Sequence, residues 1–93
     1  MTAKVKVTVY SKPECHLCEE AKAVMRAAGC SELFTIEEIN IESDPDLLAR
    51  YRYDIPVIMI EGAEAFRHRV NAEEFKVLIL KLSGDNLPLP SGD

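Results

Sequence analysis

The alternation of hydrophobic and polar residues along the chain predicts four strands. Residues 5–10 alternate valine with polar residues, which is typical of a strand. Residues 33–39 predict a second strand, in which the alternation changes phase at Glu37-Glu38 and allows an irregularity there. The nearly continuous apolar run 55–60 predicts a third strand covered on both faces. Glu61-Gly62 then turns the chain into a fourth strand over 65–69, which completes a hairpin.

Helical periodicity fills the spaces between these strands. Apolar residues recur on one face of residues 16–28, so a first helix follows the first strand. Within residues 44–52, an aspartate N-cap followed by a proline predicts a short second helix. Asn71, with Glu74 three residues later, caps a last helix. The buried stripe of that last helix is predicted to consist of Phe75, Leu78, Ile79 and Leu82.

Length, composition and charge narrow the class of protein. The chain has 93 residues, of which 47% are hydrophobic, which suits one domain over residues 1–82 followed by a disordered tail over 83–93. A net charge of −5 without a run of basic residues argues against binding to nucleic acid or an anionic membrane. The first residues lead straight into a strand and no apolar run reaches the length of a membrane span. We therefore expect a monomeric cytoplasmic protein.

The chemistry of the chain is concentrated in residues 11–18, where Cys15 and Cys18 lie three positions apart at the start of the first helix. Cysteines at this spacing can close a small disulfide, and the first one lies beside free backbone N–H groups that favour a thiolate. Cys15 is therefore the predicted nucleophile and Cys18 the resolving thiol. With only three cysteines, a structural disulfide framework is excluded.

A Cys-x-x-Cys pair is also half of a common zinc site, so metal binding is the first alternative to redox chemistry. A structural zinc site needs four ligands, whereas Cys30, His16 and His68 offer no second paired spacing. Cys30 is more simply a packed or surface thiol, and His68 shares its alternation with Phe66, which predicts that it packs against the sheet. An inert pair is the remaining alternative.

The predicted order βαβ, helix, ββα, with Cys15-His16-Leu17-Cys18 after the first strand and Ile55-Pro56 entering the third, resembles the thioredoxin superfamily. The likeness is greatest to its small glutaredoxin-like members. The resemblance implies an α/β fold of the thioredoxin type, a four-stranded mixed sheet with helices on both faces. It also implies a cis peptide bond at Pro56, with the backbone of Ile55 facing the catalytic sulfur and pairing with an extended substrate.

The resemblance also assigns roles to residues beside the thiols. Lys12 matches the lysine that contacts the glycine carboxylate of glutathione in glutaredoxins, although an exposed loop lysine is an equal alternative. His16 and Leu17 replace the Pro-Tyr common in dithiol glutaredoxins. A charged His16 could stabilise the Cys15 thiolate; its alternative is an exposed residue at a helix start.

The chain departs from glutaredoxins after the hairpin. Glutaredoxins carry a Gly-Gly and an acidic residue there, which hold the γ-glutamyl end of glutathione, but residues 66–71 contain neither feature. Arg67 and Arg69 are candidates to hold a carboxylate instead, with solvated hairpin cations as the alternative. No bound cofactor is expected, and glutathione or a protein reductase would recycle the pair.

These features together predict a glutaredoxin-like thiol–disulfide oxidoreductase in cell redox homeostasis, acting on a disulfide-containing protein or small molecule. Two other classes stay open. One is a binding module that carries an iron–sulfur cluster or metal on Cys15, and the other is a redox-silent adaptor that holds a peptide along Ile55-Pro56.

Overall fold

The computed structural model describes residues 4–83, which form seven helices and strands. They are β1 (Val5–Ser11), α1 (His16–Arg26), β2 (Phe34–Asn40), α2 (Pro45–Tyr51), β3 (Val57–Ile60), β4 (Ala63–Arg67) and α3 (Ala72–Ser83). Short 3-10 turns at 31–33 and 41–43 flank β2. The order is the predicted βαβ, helix, ββα. Within residues 4–83, no helix has the length and apolar composition needed to cross a membrane.

The four strands form one mixed sheet in the order β2-β1-β3-β4. β1 is parallel to β2 and antiparallel to β3, and β3 is antiparallel to β4. The register pairs Ser11 with Asn40, Tyr10 with Val57, and Val57 with Arg67. β1, β2 and β4 therefore end at the same end of the sheet, which is also where β3 begins. The loop after β1 and the turn after β4 each line a depression together with residues from the first turns of α1.

Each face of the sheet is covered by helices, as predicted. The larger core lies under α1 and α3, where Phe34 of β2 meets Phe75 of α3 edge to face with ring centroids 5.0 Å apart. The smaller core lies under α2, where Tyr10 stacks on Tyr51 at 5.1 Å. Alternation along the strands supplies both cores, because successive side chains point to opposite faces.

The caps of α2 and α3 are those that the sequence predicts. The Asp44 carboxylate accepts a hydrogen bond from the Asp46 N–H at 2.9 Å, with Pro45 at the first helical position. The Asn71 side-chain oxygen accepts from the Glu74 N–H, also at 2.9 Å. Each cap satisfies a backbone donor that has no partner within its helix.

Several boundaries differ from the sequence predictions. α1 ends at Arg26, two residues before the predicted end, and β4 ends at Arg67 because His68 adopts φ of 68° and leaves the strand. Leu82 was expected in the buried stripe of α3, but 48% of it is exposed. Of the predicted tail, Ser83 is the last residue of α3, and the rest lies outside the described residues.

The phase change at Glu37-Glu38 does not interrupt β2, which stays in regular register with β1 from Phe34 to Asn40. Glu38 occupies the position that alternation reserves for an apolar residue beneath α1. It is accommodated there because the ammonium of Lys22, on α1, lies 2.8 Å from its carboxylate. The break in the alternation thus coincides with an ion pair between α1 and β2.

Candidate redox site

The redox pair lies beside the end of the sheet at which β1, β2 and β4 end and β3 begins. A loop leaves β1 after Ser11 and reaches Cys15, which is the N-cap residue of α1. Glu14 has φ of 60°, a left-handed conformation that turns the chain into the helix. Cys15 and Cys18 form a disulfide, and their Cα atoms are 5.2 Å apart. The two cysteines that the sequence selects are therefore joined at the start of α1.

The two sulfurs have different surroundings. Cys18 is only 1% exposed, whereas Cys15 is partly exposed at the helix start. The Cys15 sulfur accepts a hydrogen bond from the Cys18 N–H at 3.1 Å. This donor is one of the backbone N–H groups at a helix start that lack a partner within the helix, and it favours negative charge on sulfur. Cys15 is the sulfur that a substrate can reach.

The Ile55–Pro56 peptide bond is cis, as the resemblance implies, and Pro56 is buried. Its carbonyl oxygen accepts a hydrogen bond from the His68 N–H at 2.8 Å, which joins the start of β3 to the turn after β4. The pairing of Tyr10 with Val57 puts Pro56 at the same end of the sheet as the loop to Cys15. Ile55 is partly exposed at this end, and substrate pairing with its backbone stays a prediction.

Lys12, His16 and Leu17 surround the thiols on different sides. Lys12 and His16 are exposed, and Lys12 lines a polar depression with Glu14 and Glu19. Leu17 is partly buried and lines a cleft between α1 and the turn that follows β4. The other residues that line this cleft are Glu20, Ala21, Val24, His68, Arg69 and Val70. Four of the seven lining residues are apolar, and one of them, Leu17, lies between the two cysteines in the chain.

The two predicted arginines have different environments. The Arg67 guanidinium lies 3.0 Å from the Asp54 carboxylate and also binds the Glu64 carboxylate. The pKa of Arg67 is raised, chiefly by its hydrogen bond to Glu64 and also by the charge of Asp54. The same hydrogen bond lowers the pKa of Glu64. Arg69 is exposed on the wall of the cleft, where a ligand carboxylate could reach it. Of the two, Arg69 is the one placed toward the cleft that adjoins the redox pair.

The prediction that His68 packs against the sheet is wrong. Its side chain is 51% exposed, and its Nε2 lies 3.4 Å from the Tyr53 carbonyl oxygen. Alternation fails at His68 because its positive φ takes the side chain out of the β4 pattern. His68 therefore lines the cleft, with Arg69 beside it.

Sequence reasoning did not select one polar network beside the pair. The Lys22 ammonium lies 2.8 Å from Glu38 and 3.0 Å from Glu19, and the Ser11 hydroxyl donates to Glu38 at 2.7 Å. The hydrogen bond to Glu38 raises the pKa of Lys22, and the same bond lowers the pKa of Glu38, with Ser11 contributing next. The available signal was a lysine one turn after Cys18 within the buried stripe of α1.

Cys30 is buried and lies apart from the pair as a free thiol. Burial raises its pKa, so it is a weaker nucleophile than an exposed cysteine. Among residues 4–83, no group of three or more His, Cys, Asp or Glu side chains is arranged to hold a metal ion. The metal-carrying alternative gains no ligand set from these residues.

The chain matches the family described as Glutaredoxin-like domain (DUF836) over residues 6–80. It is 30% identical over 76 residues to a glutaredoxin-like protein of Dictyostelium discoideum, covering 75% of this chain and 70% of that protein. The solution structure of protein Ne2328 from Nitrosomonas europaea is 28% identical with a TM-score of 0.72, covering 84% of this chain and 94% of the other.

A mutant thioredoxin from Halobacterium salinarum has a TM-score of 0.63 at 14% identity, over 91% of this chain and 79% of its own. That likeness establishes the thioredoxin fold alone. The matched family covers most of the chain, including Cys15, Cys18, the cis-proline and the turn after β4. The glutaredoxin-like family, the thioredoxin fold and the joined cysteine pair together support a redox function. The protein therefore belongs to the glutaredoxin-like domain family of the thioredoxin superfamily.

Proposed function

We propose that the protein is a thiol–disulfide oxidoreductase in which Cys15 is the nucleophile and Cys18 the resolving thiol. One observation carries the proposal: the two sulfurs are within bonding reach at the start of α1, one partly exposed and the other 1% exposed. An exposed thiol near free N–H groups is suited to attack a substrate, and a shielded thiol one turn later is suited to release it.

The exchange takes place in two displacements. The Cys15 thiolate attacks one sulfur of a substrate disulfide, a mixed disulfide forms, and the other substrate sulfur leaves as a thiolate that takes up a proton. Cys18 loses its proton and attacks the Cys15 sulfur, which releases the second substrate thiol and forms the Cys15–Cys18 disulfide. Two electrons pass from the protein to the substrate, and a reductant must later return two electrons to the pair.

The partner is a protein or small molecule that contains a disulfide, and it docks beside Ile55 and Pro56. Glutathione is the candidate reductant, with Lys12 and Arg69 as the cations that face its two carboxylates; a protein reductase is the alternative. The turn after β4 lacks the glycine pair of glutaredoxins, which removes backbone donors for the γ-glutamyl end. We therefore expect weaker glutathione coupling than in an ordinary dithiol glutaredoxin. The protein works as a monomer in a reducing compartment such as the cytoplasm.

Two coupled assays test this function. The oxidised protein is supplied with a small mixed disulfide and NADPH, first with glutathione and glutathione reductase, and then with thioredoxin reductase. We expect turnover that disappears in Cys15→Ser and persists in Cys30→Ser. Turnover that survives in Cys15→Ser would contradict the proposal. Rapid turnover with glutathione would show that Arg69 and its neighbours do replace the glycine pair.

A further inference from the structure

Lys22 is a buried charge in a part of α1 that is otherwise apolar. Its side chain is 10% exposed, and the other buried residues of the helix are Cys18, Ala21 and Met25. A buried ion pair generally stabilises a fold no better than well-packed apolar side chains of similar volume. The partner Glu38 is 40% exposed, so this pair is only partly buried and its contribution to stability is small as well. The charge at this position therefore calls for a role other than packing.

The network of Lys22 lies one helical turn from Cys18 on the buried face of α1. Lys22 follows Cys18 by four residues on the same buried face of α1, a spacing that places the two Cβ atoms about 6 Å apart. On the sheet side, Glu38 receives both the Lys22 ammonium and the hydroxyl of Ser11, the last residue of β1. The network thus fills the space between the first turns of α1 and the end of the strand that leads to Cys15.

Charges in this position act on the two redox states unequally. The disulfide is uncharged, whereas the dithiol form carries negative charge on sulfur when Cys15 is a thiolate. Partial burial lowers the effective dielectric constant, so a neighbouring charge acts more strongly there than in bulk water. A positive charge at Lys22 favours the reduced form, and a negative charge at Glu38 opposes it. The balance between the two then contributes to the reduction equilibrium.

We propose that Lys22 and Glu38 are positioning residues that set the reduction equilibrium of the Cys15–Cys18 pair, through their charges rather than through the contact between them. This inference rests on the proposed function. In the reduction step, dithiothreitol supplies two electrons and becomes its cyclic disulfide. The Cys15–Cys18 bond breaks, and the two protons of dithiothreitol pass to the cysteine sulfurs or, where Cys15 stays a thiolate, to solvent.

The test uses the full chain and compares Lys22→Gln with Glu38→Gln. Both variants break the same ion pair, so a purely structural role predicts that they shift the equilibrium with dithiothreitol in the same direction or not at all. The charge mechanism predicts opposite shifts, toward the disulfide in Lys22→Gln and toward the dithiol in Glu38→Gln. We expect about threefold in each direction, equivalent to about 14 mV for a two-electron couple. The rate of Cys15 alkylation at pH 6.5 should fall and rise correspondingly.

The double variant Lys22→Gln/Glu38→Gln separates contact from charge. It lacks the ion pair and both charges, so the two opposite charge effects should cancel and its equilibrium should lie near that of the wild type. A shift in the double variant as large as in either single variant would overturn the inference. Lys6→Gln is the matched control, because it removes one positive charge near the opposite end of β1 and should leave the equilibrium unchanged.

The same measurements distinguish this inference from the function on which it rests. If the wild-type pair does not titrate as a reversible two-electron couple, the proposed function fails. If it titrates but Lys22→Gln and Glu38→Gln shift in the same direction, or shift less than Lys6→Gln, only the inference is wrong. Alkylation rates are compared only between variants whose circular dichroism spectra show that they are folded. A loss of stability in either variant therefore does not obscure the result.

Discussion

The Arg67 guanidinium lies 3.0 Å from the Asp54 carboxylate, so the end of β4 is bound to the segment that leads into Pro56. The His68 N–H adds a second link, to the Pro56 carbonyl oxygen at 2.8 Å. The partners of Arg67 are thus carboxylates of its own chain, although Arg67 was a candidate for binding a substrate carboxylate. A substrate would have to displace Asp54 or Glu64, whereas Arg69 faces the cleft.

This difference predicts separate effects for the two arginines. Arg69→Gln should raise the KM for an anionic substrate such as glutathione about threefold to tenfold, because one charge-assisted contact is lost. Arg67→Gln should leave that KM nearly unchanged and lower the thermal midpoint, because Asp54 loses its partner. Steady-state kinetics and thermal denaturation of the two variants measure both effects. A larger KM effect for Arg67→Gln would return the binding role to Arg67.

The exposure of the sulfurs predicts the order in which the three thiols react. In the reduced protein at slightly acid pH, iodoacetamide should modify Cys15 well before Cys18 or Cys30, because those two are 1% and 2% exposed. Peptide mass mapping at successive times measures the order. Cys18→Ser should accumulate mixed disulfides with substrate, and Cys15→Ser should not. First labelling at Cys18 would reverse the two roles.

The lowered pKa of Glu38 predicts an acid dependence of stability. Its hydrogen bond from Lys22, followed by that from Ser11, keeps the carboxylate charged in the folded state to a lower pH than in the unfolded state. Stability from this group is therefore present above the unfolded pKa, about 4.3 for a glutamate, and is lost as pH falls below it and through the lower folded pKa. Urea midpoints across this range should decline less steeply in Glu38→Gln. The neighbouring variant Glu37→Gln should keep the wild-type slope.

The position of Phe75 predicts a large stability effect that is independent of the redox site. Phe75 is fully buried and meets Phe34 edge to face, so Phe75→Ala should cost about 3–5 kcal/mol of unfolding free energy. Leu82→Ala, on the same helix but 48% exposed, should cost much less, about 1 kcal/mol or below. Urea denaturation of the two variants measures the difference. Equal losses would mean that Leu82 belongs to the core.

The sequence predicts the order of elements and the redox pair because both depend on local signals. Period-two alternation, helix caps and the Cys-x-x-Cys spacing each involve residues close together in the chain. The surroundings of the pair depend on distant partners. Lys22 can be buried because the fold brings Glu38 of β2 within ion-pair distance of it. Arg67 is likewise paired because the fold brings Asp54 beside it. Periodicity cannot identify such partners.

His68 illustrates a second limit, which is local but conformational. Its place in the alternation predicts a packed side chain, and a single backbone angle, φ of 68°, takes it out of the strand instead. A residue other than glycine rarely adopts a left-handed backbone conformation, so sequence propensity does not predict one here. The cleft beside Leu17 exists in its present form because of this turn.

β2 is an edge strand of the sheet, and this position affects how the protein behaves at high concentration. An edge strand offers unpaired N–H and C=O groups to any other extended chain, which is a route to aggregation. Glu37 and Glu38 point to opposite faces of this strand. The Glu38 charge is paired with Lys22, whereas the Glu37 carboxylate is exposed on the other face beside the open hydrogen bonds. Two copies that approach edge to edge through this strand would therefore bring their Glu37 carboxylates toward each other, which disfavours extension of the sheet.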